Sequence, residues 1–175
     1  MTEIDSHVFE NCYKLASLTI PESIKSIGPY AFYYCLGIKG TLIIPDNVVD
    51  VSEGAFSYCT GLTDFQMSRN INTIKSSTFS NCKGLLYLTI PEWITSIESD
   101  AFYYCIKLNG TLTIPDNVVN IDDGAFSDCS SLTNLIIGKN LTVIKSNVFA
   151  YCSSIKSINI PDSVISIESY AFSHC

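Results

Sequence analysis

Cysteine recurs at positions 12, 35, 59, 82, 105, 129, 152 and 175, at intervals of 23 or 24 residues. A phenylalanine stands three places before each one: Phe9, Phe32, Phe56, Phe79, Phe102, Phe126, Phe149 and Phe172. A period of this length, sustained from end to end, marks a solenoid in which each turn is one supersecondary unit that buries its apolar side only against its neighbours. No linker or low-complexity stretch interrupts the pattern. The expectation is one array over residues 1–175, of about seven 23- or 24-residue repeats. Ile4 fills the slot later taken by Ile27 and Val51, so the first repeat begins part-way through its unit, and the chain stops on a repeat cysteine. Solenoids normally carry a polar cap at each end. The chain is therefore expected to be a piece of a longer protein, or an array that self-associates through uncapped ends.

Each unit carries an apolar-x-apolar triplet: Leu18/Ile20, Leu42/Ile44, Phe65/Met67, Leu88/Ile90, Leu112/Ile114, Leu135/Ile137 and Ile158/Ile160. Alternation over so few residues reads as a short strand, and one strand per turn builds a parallel sheet along one face. Pro21, Pro45, Pro91, Pro115 and Pro161 end the strand, where a missing N–H leaves the ladder intact. Two further inward columns run through Ile24, Val48 and Ile71 and through Ile27, Val51 and Ile74. The Ala31-Phe32-x-x-Cys35 spacing then predicts a short helical turn, with Ser6, Ser76, Ser99, Ser146 and Ser169 placed to cap it.

A longer period overlies the short one. Residues 36–105 align with 106–175 without a gap, and Ile-Pro-Asp-Asn-Val-Val occurs at 44–49 and again at 114–119. Gly40 and Gly110 precede the strand in the two long units, where an extra residue lets the backbone bulge.

The run Ala-Phe-x-x-Cys-x-x-Leu followed by Leu-x-Ile-Pro-x-x-Val-x-x-Ile resembles the BspA-like leucine-rich repeats of bacterial and protist surface proteins, over essentially the whole chain. The architecture so implied is an α/β solenoid: a right-handed leucine-rich-repeat superhelix with the parallel β-sheet on its concave face and short helical turns on the convex side. The asparagine slot of such repeats holds Asn47, Asn70, Asn117 and Asn140 but also Ser23, Trp93 and Ser163, so only a partial asparagine ladder is expected.

Composition narrows the function classes. The net charge is −7, and the ten basic residues are scattered singly, which argues against nucleic acid, whose phosphates call for clustered Lys and Arg. No stretch of about 18 apolar residues is present to span a membrane, and the N-terminus has no basic-then-apolar leader. Stacked turns bring consecutive cysteines within disulfide range, but their inward slot makes them a packing column, so neither metal nor cofactor is expected. Nucleophilic catalysis needs a base beside the nucleophile, and the two histidines, His7 and His174, lie at opposite ends. Acidic pairs such as Asp122/Asp123 and Glu98/Asp100 fall before the expected helical turn, where carboxylates favour a helix N-terminus. The chain is not expected to be an enzyme.

Binding is the remaining class. The outward strand positions are small, polar and nearly uncharged, and the sheets of solenoids are common contact surfaces. The candidate ligand-binding residues on the concave face are Thr19, Ile43, Gln66, Tyr87, Thr89, Thr113, Ile136 and Asn159; Ile43, Tyr87 and Ile136 are apolar where no fold demands it. A second aromatic set, Tyr33/Tyr34, Tyr58, Tyr103/Tyr104 and Tyr151, either packs between repeats or offers a sugar-binding surface. The family resemblance implies a non-catalytic protein-binding module at the cell surface or outside the cell, for adhesion to host, matrix or cell-surface proteins. An intracellular, cytoplasmic interaction scaffold using the same face is the alternative.

Overall fold

The structure is a computed structural model that describes residues 2–175. It is a solenoid of stacked coils whose strands pair in parallel, coil upon coil. Among the described residues, thirteen short strands form two ladders. The first contains the apolar-x-apolar triplets: β3 (Gly40–Ile43) pairs with β5 (Leu62–Gln66), and β8 (Gly110–Thr113) pairs with β10 (Leu132–Ile136), which pairs with β12 (Ile158–Asn159). The second is built from two-residue strands at the Ile27 column. There β1 (Glu3–Ile4), β2 (Ser26–Ile27) and β4 (Asp50–Val51) form one run, β6 (Thr73–Ile74), β7 (Ser96–Ile97) and β9 (Asn120–Ile121) a second, and β11 (Val143–Ile144) with β13 (Ser166–Ile167) a third. Ion pairs Lys75–Asp50 and Lys145–Asp122 cross the two breaks between these runs.

The expected helical turns are absent; no helix forms among the described residues. The reason lies in two columns of left-handed residues, four apart in every coil. One holds His7, Tyr30, Gly54, Ser77, Asp100, Gly124, Asn147 and Tyr170; the other holds Asn11, Tyr34, Tyr58, Asn81, Tyr104, Asp128, Tyr151 and His174, all with φ between 53° and 67°. A residue with φ near +60° cannot continue a right-handed helix. The segment instead makes consecutive i→i−3 turns, as Tyr33 N–H to Tyr30 C=O (3.1 Å) and Cys35 N–H to Phe32 C=O (3.2 Å). The intervening amides reach the next coil: Phe32 N–H donates to Ala55 C=O at 2.9 Å and Tyr34 N–H to Ser57 C=O at 3.0 Å. The spacing that reads as one helical face is a stack of turns tied across coils. The serines expected as caps have no helix to cap; Ser76 and Ser146 instead donate N–H and Oγ–H to the Glu98 and Glu168 carboxylates of the next coil.

Left-handed backbone strains any residue with a Cβ, and a β-branched one most. Asn147 is exposed, with φ 58° and only its backbone tied down. Asn147→Val is expected to destabilise the fold by about 1–2 kcal/mol, and Asn147→Gly to change it by only a few tenths, read as shifts in urea midpoint.

Inside the coils the phenylalanines form one continuous stack. Successive rings lie 5.1–5.9 Å apart, with interplanar angles of 3–11°. Beside them runs the cysteine column, with every thiol free and the six between the ends buried. Every Phe carbonyl of the stack from Phe9 to Phe149 accepts two hydrogens: its own coil's Cys N–H and the S–H of the next coil. Phe56 C=O, for example, takes Cys59 N–H at 3.1 Å and Cys82 S–H at 3.2 Å. Cysteine therefore supplies a small apolar body and one donor aimed along the stack. Burial pushes the six buried thiols up, Cys82 to about 12 from an ordinary value of 9.

The asparagine ladder is partial. Asn47 and Asn70 donate to the carbonyls of Glu22 and Asp46 in the preceding coil at 2.7 Å, and Asn117 does the same to Glu92. Trp93 and Ser163 break the series in their own way, donating to Ser68 C=O and Leu141 C=O.

Candidate functional site: an opened strand ladder

Parallel pairing aligns the outward positions of the first ladder coil by coil. Ile43 stands beside Gln66 across β3 and β5; Thr113, Ile136 and Asn159 form one row across β8, β10 and β12. All five are solvent-exposed, Ile43 and Ile136 at 56% and 54%. Of the remaining sequence candidates, Tyr87 (64% exposed) and Thr89 lie between these two patches, and Thr19 lies at the N-terminal side of the first.

The structure departs from expectation at those three residues. Segments 17–20 and 87–90, which contain Leu18/Ile20 and Leu88/Ile90, form no strand and make no backbone hydrogen bond to the coil on either side. The ladder expected to be continuous is thus open at Thr89. Two features flank it. On the C-terminal side, the extra residue of the long coil is taken up at Gly110, whose φ of +82° bends the chain as it enters β8; Gly40 does the same after segment 17–20. On the N-terminal side, Phe65 sits where the second block has Leu135. Its ring turns inward onto Phe79 (4.3 Å) and Phe102 (6.0 Å). Where leucine occupies that slot, the next coil closes: Leu135 and Ile136 pair with Ile158 and Asn159.

A groove of about 490 Å³ runs beside the opening, lined by Ile43, Asp46, Gln66, Arg69, Thr89 and Trp93 among others. A smaller one of about 220 Å³ lies on the other side of Thr89, against Thr111 and Thr113. Trp93 is the chain's only tryptophan and Arg69 its only arginine. The indole is pinned by its N–H to Ser68 C=O at 3.1 Å and remains 38% exposed. Arg69 is exposed; its backbone N–H is held by Asp46 Oδ1 at 2.9 Å, while its guanidinium has no carboxylate partner among the described residues. At the matching place in the second block, Lys139 donates its backbone N–H to Asp116 at 2.8 Å and also pairs with it through Nζ at 3.6 Å. That backbone donor, with the lysine charge beside it, lowers the Asp116 pKa. The two blocks share a fold and differ in the chemistry of this groove.

Sequence reasoning did not select Asp46, Phe65, Arg69 or Trp93. The available signal was the block alignment, which sets Leu-Thr-Asp-Phe-Gln-Met-Ser-Arg (62–69) against Leu-Thr-Asn-Leu-Ile-Ile-Gly-Lys (132–139).

The tyrosines lie on the turn side. Tyr34 and Tyr58 stack at 4.2 Å, Tyr33 meets both edge-on, and Lys83 sits 4.8 Å over the Tyr104 ring. These rings are half-buried and cover the joints between coils. Hydrogen bonding to the Glu53 carboxylate, helped by burial, pushes the Tyr30 hydroxyl up to about 12. His7 pairs with Glu10 at 2.7 Å and His174 stacks on Tyr151 at 4.6 Å, so each imidazole belongs to its own end of the molecule. Among the described residues no group of three His, Cys, Asp or Glu side chains gathers to hold a metal ion, and no helix is long and apolar enough to cross a membrane.

Residues 1–109 and 50–175 match the BspA type leucine rich repeat region, in six copies. The chain belongs to this family. BspA-type repeats are typically non-catalytic, and leucine-rich repeats generally bind proteins. No curated protein matches the chain. Among solved structures it is similar to a leucine-rich repeat protein from T. pallidum, at 23% identity and a TM-score of 0.84, covering 95% of this chain and 77% of that one. It is also similar to a leucine-rich repeat protein from Bacteroides ovatus, at 24% identity and a TM-score of 0.67, covering 100% of this chain and 56% of that one. The pneumococcal vaccine antigen PcpA matches at 14% identity and a TM-score of 0.58, over 98% of this chain and 51% of its own. The chain thus spans only about half the length of two of these three proteins. At such identities the likeness is one of fold.

Proposed function

We propose that this BspA-type array is a non-catalytic protein-binding module that works at the cell surface, holding host, matrix or neighbouring-cell proteins against the outer side of its first strand ladder. The observation that carries the reading is the row of exposed side chains beside and across the opening: Ile43 and Gln66, Tyr87 and Thr89, then Thr113, Ile136 and Asn159. Three large apolar groups stand on this otherwise small, polar surface, and such groups dominate the energy of protein contacts when a partner covers them. Contacts of this size are individually weak, and display of many copies on a surface strengthens them by avidity. The family resemblance supports the cell-surface setting. A scaffold inside the cell is the second reading, favoured by eight thiols that are all free.

The test has two parts. Antibody labelling of intact against permeabilised source cells separates the readings: signal on intact cells supports surface display, and signal only after permeabilisation rejects it. Cells displaying Ile43→Asp with Ile136→Asp are then expected to adhere to immobilised matrix proteins at least tenfold less than the parent. Unchanged adhesion would remove this face from the function.

A further inference from the structure

The groove beside Ile43 holds two residue types that the array uses only once. Trp93 and Arg69 both line it, and both are anchored yet open to solvent. The indole N–H donates to Ser68 C=O at 3.1 Å, and Ser68, wholly buried, is itself fixed by its hydroxyl on Val48 C=O at 2.6 Å. The indole therefore keeps one orientation while 38% of the residue stays exposed. Arg69 is anchored by its backbone N–H on Asp46 Oδ1, and its guanidinium carries no ion pair among the described residues. Polar groups of several kinds surround this aromatic surface. Asp46 and Glu22 each commit one carboxylate oxygen, to Arg69 N–H and to Asn47 Nδ2, and keep the other for a ligand. Gln66 and Thr89, both exposed, can donate or accept. The second block lacks the set: Ser163 replaces Trp93, Ile136 replaces Gln66, and Lys139, paired with Asp116, replaces Arg69.

We propose that this groove binds a neutral oligosaccharide, with one pyranose ring laid against Trp93 and its hydroxyls shared among Arg69, Asp46, Gln66 and Thr89. The C–H groups on one face of a sugar ring meet the negative face of an aromatic ring. Each hydroxyl both donates and accepts, so one sugar satisfies carboxylates and a guanidinium side by side. Other ligand classes fit less well. An anion brings its charge to a lining with two carboxylates against one guanidinium. A peptide's apolar anchor needs a desolvated pocket, but Ile44, Phe65 and Met67 are buried, which leaves only Trp93 and Ile43 as large exposed apolar side chains of the lining. At about 490 Å³ the groove has the size of ordinary small-molecule sites. The inference goes beyond the protein-binding reading, because its ligand is a glycan, free or carried by a partner, and not a polypeptide surface.

The test is a printed array of oligosaccharides built from neutral hexoses and N-acetylhexosamines, with uronic-acid oligomers as the charged comparison, incubated with the folded 175-residue chain. At least one neutral structure is expected to bind. The same oligosaccharide free in solution should shift the tryptophan emission saturably to the blue, since the chain's one indole lies in the site. Trp93→Ser, which installs the second block's residue, should weaken binding by at least about tenfold, whereas Trp93→Phe, which keeps an aromatic face, should weaken it by no more than about threefold. Gln66→Ile, again the second block's residue and at an exposed position, should weaken binding several-fold; circular dichroism checks that the variants fold. Ile136→Asp, outside the groove, should leave sugar binding unchanged. Failure of every neutral oligosaccharide to bind, binding that Trp93→Ser leaves intact, or binding of uronic-acid oligomers alone would each overturn the proposal. Adhesion to matrix proteins stripped of their glycans that still falls with Ile136→Asp would then leave the protein-binding function standing.

Discussion

Replacing Phe102 with alanine is expected to lower the stability of the array by about 3–5 kcal/mol, the usual loss for a fully buried phenylalanine. The ring is wholly buried, between Phe79 at 5.6 Å and Phe126 at 5.3 Å, with Phe65 at 6.0 Å on its flank. Its removal opens a cavity that touches two coil interfaces at once. In a solenoid each coil is held only by its neighbours, so a defect in the middle weakens both halves of the array. Phe9→Ala is the informative control. That ring is 37% exposed and stacks on Phe32 alone, so its loss should be under half as large. Urea midpoints for the two variants decide the matter. Equal losses would mean that the stack is not the source of cooperativity.

The phenylalanine and cysteine columns are legible in the sequence because each is a single residue type at a fixed interval, and the interval forces the coils into register. The turn side is not. Phe-x-x-Cys has the same spacing whether the residues share a helical face or close successive i→i−3 turns, and the deciding feature is the sign of φ at Tyr34, Tyr58 and Tyr104. Tyrosine carries no local signal for a left-handed backbone; the strain is accepted there because cross-coil bonds such as Tyr34 N–H to Ser57 C=O and the Tyr34–Tyr58 stack hold it in place. The outward apolar residues Ile43, Tyr87 and Ile136 could be read directly, since alternation along a strand fixes which side each one faces. The opening beside them could not. Leu88-Thr89-Ile90 alternates just as Leu112-Thr113-Ile114 does, and the features that set its surroundings apart lie elsewhere, at Phe65 one coil back and at the extra residue of Gly110 one coil ahead. Arg69 and Trp93 sit past the strand, where periodicity assigns no direction. Only the comparison of one block with the other distinguishes them.

Alkaline pH is expected to dismantle the array well before its side chains would suggest, and the cysteine column is the cause. A thiol in the unfolded chain ionises near 9, whereas burial holds Cys82 neutral up to about 12 and raises Cys59, Cys105 and Cys129 well above the ordinary value. The folded pKa is the higher one. The stabilisation is therefore fully present below pH 9 and is lost as pH rises towards the folded value, because over that interval the unfolded chain releases protons that the folded chain retains. The slope is about 1.4 kcal/mol per pH unit for each such thiol. Several buried thiols acting in the same direction make the fall steep. Under reducing conditions the urea midpoint should be nearly constant from pH 7 to 8 and fall steeply between 9 and 10, below the range in which the raised tyrosines begin to contribute. Thiol labelling supplies the independent check. At pH 8 only Cys12 and Cys175, at the two ends of the column, should react quickly in the folded protein, and all eight cysteines should react in urea. A midpoint that does not move between pH 8 and 10, or buried cysteines that label as fast as Cys175, would show that the column is open to water and that its S–H to carbonyl chain is not what joins coil to coil.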